Sequence, residues 1–145
     1  MQARMPRNLE RTLLYRLVFV SEMIGGIGTD VQSVAEILGA SERNNRRDEI
    51  SSAMMFHDGE AAQMAEGARG DLDRLLARLS KDPRHRNIRV LEDRPVMQRR
   101  MRDWARLCAL NDLQAQDILH GRRLSDLSSA GLEKLLSCEH VKLAA

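Results

Sequence analysis

Two short apolar runs, Ile50 to Phe56 (ISSAMMF) and Ala61 to Glu66 (AAQMAE), flank His57, Asp58 and Gly59. Asp-Gly between such runs is the strongest short-range hairpin signal, because both residues accept the left-handed backbone that matches the twist of the flanking strands. The pair therefore predicts two adjacent antiparallel strands in the middle of the chain, even though Ala and Met are weak strand formers. What stands on either side of this hairpin then decides the fold.

Before it, Leu13 to Val20 (LLYRLVFV) collects β-branched and aromatic residues, and Ser21 and the glycines 25, 26 and 28 end it, predicting a strand and a loop. Asp30 is placed to cap a helix from Val31 to about Asn44, with Val31, Val34, Ala35, Leu38 and Ser41 as its stripe. After the hairpin, Asp71 to Leu79 (DLDRLLARL) sets Leu72, Leu75, Leu76 and Leu79 on one face, and Pro83 stops it. Ile88 to Glu92 and Pro95 to Met101 read as two further strands around a turn at Asp93 and Arg94. From Trp104 through Leu107, Cys108 and Leu110 or Asn111 the spacing turns helical, Leu113 to His120 continues or restarts that helix, and Ser128 caps a last one through Leu132, Leu135 and Leu136.

The expected fold is α+β: a ferredoxin-like βαββαββ sheet with two helices on one face and additional C-terminal helices to cover the other. The expected organisation is a basic N-terminal arm over 1–12, a domain over 13–104 and a helical extension over 105–145. Of 145 residues 43% are hydrophobic but only 3% aromatic, so the core is built from aliphatic and Met side chains. Two Cys, no secretory signal and no apolar run long enough for a bilayer predict a cytoplasmic protein that does not enter membranes.

The chemistry-bearing residues are few. The glycine-rich loop lacks a GK[ST] or GxGxxG pattern and reads as a plain connection. Cys108, His120, Cys138 and His140 lack paired metal-ligand spacing, and no Ser-His-acid or carboxylate pair stands out, so the expectation is no metal and no enzymatic activity. With 23 Lys+Arg against 21 Asp+Glu the chain is no generic polyanion binder. Arg84, Arg86, Arg89, Arg94, Arg99, Arg100, Arg102 and Arg106 are interleaved with acids and lack stacking aromatics, which argues against nucleic acid as a partner and favours a solvated or protein-facing surface. Gln63, in the middle of a strand, shares the parity of Ala61 and Ala65 and is set to face the helices.

Taken in order, these residues resemble a known family. RNNRRDEISSAMMFHDGEAAQMAEG (Arg43 to Gly67) is similar to the central block of BLUF domains, the blue-light sensors that use FAD; RLVFVSE (Arg16 to Glu22) is similar to the family's first strand, Val31 to Asn45 to its first helix and Leu75 to Ala105 to its second helix and last strands. The resemblance implies a bound FAD, with Asn44 and Asn45 at the polar edge of the isoalloxazine and Gln63 bonded to the ring. It further implies Arg78, Asp82 and His85 at the ring edge and phosphate end, and Trp104 beside the last strand. Asn and Gln amides suit such a ring because each offers a donor and an acceptor.

The resemblance also shows departures. The family's photoactive Tyr is matched by Phe19, which has no phenolic hydroxyl, so Phe19, Gln63 and Trp104 are the positions on which an altered photocycle turns. Tyr15 lies four residues away, about 13 Å along the strand, and is no substitute. Ala61 and Ala65 replace large side chains beside Gln63, Ile50-Ser51-Ser52 replaces the family's ITG, and Ala105-Arg106 follows Trp104. Two functions are implied: a sensory or regulatory module acting through a regulatory protein partner, or a flavin-free interaction or dimerisation (homo-oligomer) protein on the same fold.

Overall fold

The computed structural model describes residues 13–137; the basic arm over 1–12 and Cys138 and His140 lie outside them. Strands β1 (Leu14–Met23), β2 (Ser51–His57), β3 (Glu60–Gly67), β4 (His85–Val96) and β5 (Arg106–Leu107) form one sheet in the order β4-β1-β3-β2-β5. All pairings are antiparallel except β2 with β5. Helices α1 (Val31–Asp48) and α2 (Arg69–Lys81) follow β1 and β3, and α3 (Asp112–Leu119), a 3-10 turn (Leu124–Asp126) and α4 (Ser129–Leu136) complete the chain.

The hairpin forms as the sequence predicts. Asp58 and Gly59 take φ values of 50° and 77°, the doubly left-handed turn that Asp-Gly favours. Asp30 caps α1, its carboxylate accepting from the Ser33 N–H at 2.6 Å. That helix runs one turn further than expected, to Asp48, and closes on Glu49 at φ 54°. Asn44 and Asn45 are thus inside the helix rather than at its end. The buried positions of α1 are Ile37 and Asn45, whereas Val31 is 87% exposed, so the stripe expected to start at Val31 is rotated.

β4 is one twelve-residue edge strand, not two strands about a turn. Asp93 and Arg94, which read as turn residues, pair in register with Leu17 and Arg16. Asp93 instead meets Arg69 at 2.7 Å, and Arg94 meets Glu92 at 3.0 Å and Glu133 at 3.3 Å. Charges on an edge strand blunt it against further pairing, which is why turn-like residues sit in a strand here. The strand expected over Pro95–Met101 ends at Val96, and residues 97–105 form an irregular connection.

That connection is anchored by hydrogen bonds. Arg99 donates to Ser51 Oγ (2.9 Å), the Glu66 carbonyl (2.9 Å) and the Glu49 carbonyl (2.6 Å). Glu66 Oε1 accepts from the backbone N–H groups of Arg100 (2.8 Å) and Met101 (3.0 Å). The helix expected from Trp104 is β5 instead: Cys108 N–H donates to the Met54 carbonyl at 2.8 Å, and the chain is committed to β2. Helix geometry resumes at Asp112, behind an Asn111 cap.

Each face of the sheet carries its own apolar core. Val18, Val20, Ala53, Met55, Ala62 and Met64 pack under Leu119, Leu124, Leu132, Leu135 and Leu136 of the C-terminal helices. Leu17, Phe19, Ile50 and Ala65 pack under Leu72 and Leu75 of α2. No helix among the described residues is long and apolar enough to cross a membrane.

Candidate functional site

The second face builds the candidate site. Because alternate strand residues share a face, Phe19, Gln63 and Met54 form one cross-strand row, and Ser21, Ala61 and Phe56 form the next. On α1, Ile37, Ser41 and Asn45 recur every four residues and so lie along one helix face. α2 contributes Leu79, and its C-cap Asp82 leads into Arg84 and His85. Ser21, Gln63, Ser41, Leu79, Asp82 and His85, with Met23, Ile37, Phe56, Ala61 and Arg84, line a cleft between the two helices and the sheet. Asn45 stands one turn beyond Ser41, and Arg78 precedes Leu79.

Among the described residues, four buried side-chain atoms have no hydrogen-bond partner: Ser21 Oγ, Asn45 Oδ1, Arg78 Nη2 and His85 Nε2. Buried polar atoms are nearly always paired, since leaving one unmade costs about 1–3 kcal/mol. All four belong to elements that bound this cleft. Asn45 is held firmly, its Nδ2 donating to Ser52 Oγ at 3.0 Å and to the Trp104 carbonyl at 2.8 Å, while Ser52 Oγ donates to the same carbonyl at 2.7 Å. Its free Oδ1 is thereby left as an acceptor. Arg78 keeps one amino group on Asp48 at 3.0 Å, and Asp48 is held below the ordinary carboxylate range first by Arg47 and then by Arg78, against its burial.

At the other end, Arg84 binds Asp82 through Nε and Nη2 (3.0 and 2.6 Å), and this pairing lowers the Asp82 pKa. Burial lowers that of His85, outweighing the pull of Asp82, so its imidazole is neutral near pH 7. The set offers acceptors at Asn45 and Asp82, donors at Arg78 and Arg84, and an amide at Gln63 that is both. That inventory fits a flat ring with alternating carbonyl and N–H groups along one edge, and a charged tail.

Of the expected site residues, the structure brings Asn45, Gln63, Asp82 and His85 to the cleft or its rim, and Arg78 beside it. Asn44 is half-buried on the neighbouring helix face and does not line the cleft. Trp104 contributes its backbone carbonyl, from the connection before β5. Phe19 is fully buried in the apolar cluster with Leu17, Ile50 and Leu72, directly across from Gln63, and the β1 residues that line the cleft are Ser21 and Met23. Tyr15 pairs with Gly67 at the far end of β1, under the Arg69 guanidinium at 4.7 Å. Sequence reasoning missed Ser21, Ser41 and Arg84. For Ser41 the signal was its four-residue spacing from Asn45.

A mixed five-stranded sheet with paired helices over one face, and unmade hydrogen bonds gathered between them, defines an α+β domain with a candidate small-molecule cleft. The profile of the BLUF family, sensors of blue-light using FAD, matches residues 14–106, and the chain belongs to that family. Over 95 residues it is 34% identical to the photoactivated adenylate cyclase subunit beta-like protein FB of Euglena gracilis and to a photoactivated adenylate cyclase subunit beta of Euglena longa, 66% of this chain in each case. It spans only 11% of the length of these relatives.

Among solved structures, the BLUF protein BlrB in its dark state superposes with a TM-score of 0.72 at 24% identity, over 88% of this chain and 97% of that one. The photo-activated state of BlsA gives 0.75 at 21% identity, over 86% and 92%. The chain therefore has the ferredoxin-like BLUF fold and is similar in extent to these short proteins.

Proposed function

We propose that this blue-light sensory domain binds a flavin between α1 and α2, and that its photochemistry is altered because β1 presents no phenol to Gln63. The observation that carries the first part is the set of four unpaired buried atoms around one cleft. Asn45 Oδ1 would accept from a ring N–H, Gln63 would bond the ring edge, and Arg78 and Arg84 would meet its carbonyls or the phosphate tail. Asp82 and His85 close that end. The flavin supplies blue absorption and accepts an electron when excited.

The residues of β1 decide the second part. The chain has a single Tyr, Tyr15, and it lies away from Gln63. Phe19, directly across from Gln63, and Ser21, one row on and in the cleft, have no phenolic hydroxyl to give up an electron or turn the amide. A signal from the site leaves through Ser52 and the Trp104 carbonyl, which Asn45 shares, into the connection that the C-terminal helices cover; a regulatory protein partner reads those helices.

The direct test is titration of the full chain with FAD, followed by quenching of flavin fluorescence. Saturable binding weakened about tenfold by Asn45→Ala and by Arg78→Ala supports the flavin site, one charge-assisted or buried hydrogen bond being worth roughly that factor. No uptake by a folded wild-type protein would leave the same fold acting as a flavin-free interaction or dimerisation surface.

A further inference from the structure

A second cleft, of about 480 Å³, opens between the 100–106 connection and the end of α4. None of its lining residues lines the flavin cleft. Arg100, Arg102 and Arg106 border it, together with the hydroxyl-bearing Ser52 and Ser137 and the apolar Met101 and Leu136, with Asp103 the one acidic residue among the described residues that line it.

The charge at this site is out of balance in a chain that is otherwise nearly neutral. Arg106 is matched by Asp103 at 2.7 Å. Arg100 reaches only Glu133 Oε1, at 3.7 Å, an oxygen that already serves Arg16 at 3.2 Å and Arg94 at 3.3 Å. Arg102 makes no ion pair or hydrogen bond among the described residues. Guanidinium groups left without carboxylates around a concave surface attract an anion, and their fork geometry suits phosphate oxygens. Met101 and Leu136, 9% and 1% exposed, give the same cleft an apolar floor. The volume matches small-molecule pockets.

We propose that this cleft binds a phosphorylated small molecule of nucleotide size, its phosphates held by Arg100, Arg102 and Arg106 and its ring resting on Met101 and Leu136. A concave cleft with an apolar floor, rather than a flat basic stripe, favours a small ligand over a nucleic-acid backbone. Occupancy stiffens the connection whose Trp104 carbonyl accepts from Asn45 and Ser52, which couples this ligand to the first cleft.

The test uses the full chain, titrated with inorganic pyrophosphate and with ADP, and read by calorimetry and by the fluorescence of Trp104, the single tryptophan. The expected result is saturable one-to-one binding, tighter for ADP than for pyrophosphate. Arg102→Gln should weaken it about tenfold, as the loss of a charge-assisted contact implies. Arg74→Gln, on the exposed side of α2, should leave binding unchanged. Absence of saturable binding, or equal binding by Arg102→Gln, overturns the proposal. A twelve-nucleotide single strand that binds more tightly than ADP, with steep salt dependence, also overturns it and assigns the arginines to nucleic acid. Because ADP binding is read without flavin, a protein that takes up ADP but not FAD separates this proposal from the sensory reading.

Discussion

At the scale of single residues, Ser21 and His85 carry the account. Ser21 is 3% exposed, its hydroxyl is unpaired, and it lines the same cleft as Gln63, whereas Phe19 is fully buried among Leu17, Ile50 and Leu72 and stands directly across from Gln63 in the sheet. In flavin-loaded protein, Phe19→Tyr, which sets a phenol directly across from Gln63, is therefore expected to produce a light-induced red shift of the flavin band. Ser21→Tyr, one row away from Gln63, should produce none and lower stability by about 1–3 kcal/mol, the cost of overpacking a buried position; comparing difference spectra and melting curves of the two variants decides between the positions. His85 is buried with its pKa below the ordinary 6.5, so the unfolded chain takes up its proton first. Stability from this group is present above about pH 6.5 and is lost as pH falls below it. Melting temperatures measured from pH 7.5 to 5.5 should decline in wild type and decline less in His85→Gln. Asn45 and Gln63 were legible in the sequence because an amide among small or helical neighbours has few bland uses. Ser21 was not, since a serine closing an apolar run looks like the end of a strand.

Among the elements, the hairpin and α2 were readable and the stretch from β4 to β5 was not. Asp58-Gly59 and the Leu72, Leu75, Leu76, Leu79 stripe are local signals, complete within a dozen residues. Gly59→Ala should cost about 1 kcal/mol by forcing a side chain onto φ 77°, and Leu72→Ala about 2–5 kcal/mol, both measurable by urea denaturation. The β4–β5 stretch takes its shape from partners far away in sequence: Arg99 reaches across to Ser51 and Glu49, and Glu66 receives the N–H groups of Arg100 and Met101. No window around Trp104 contains those partners, so its helical spacing misled. The same dependence explains why α1 outran its expected end, Glu49 and Ile50 returning their N–H groups to Arg46 and Asn45.

Across the whole molecule, the sheet separates a cleft-bearing face from a face sealed by the C-terminal helices, and a buried ionic hub ties the second together. Arg16 and Glu66, 8% and 0% exposed, pair at 2.7 Å, and Arg16 also reaches Glu133 of α4 at 3.2 Å. Removing one partner leaves a buried charge, so Arg16→Met should destabilise the fold by about 3–5 kcal/mol, with the amides of α4 losing hydrogen-exchange protection. Two sheet faces and their helices were foreseeable from the βαββαββ order; the hub was not, because Arg16 and Glu133 lie 117 residues apart. The central claim is that the cleft of the first face holds a flavin, and the most direct measurement is the visible absorption spectrum of the protein purified with ample flavin, before and after blue illumination. The account predicts a protein-bound flavin band near 450 nm, as flavins generally show, that Asn45→Ala diminishes and that wild type shifts little in light. A folded protein that stays colourless after incubation with excess FAD would contradict it.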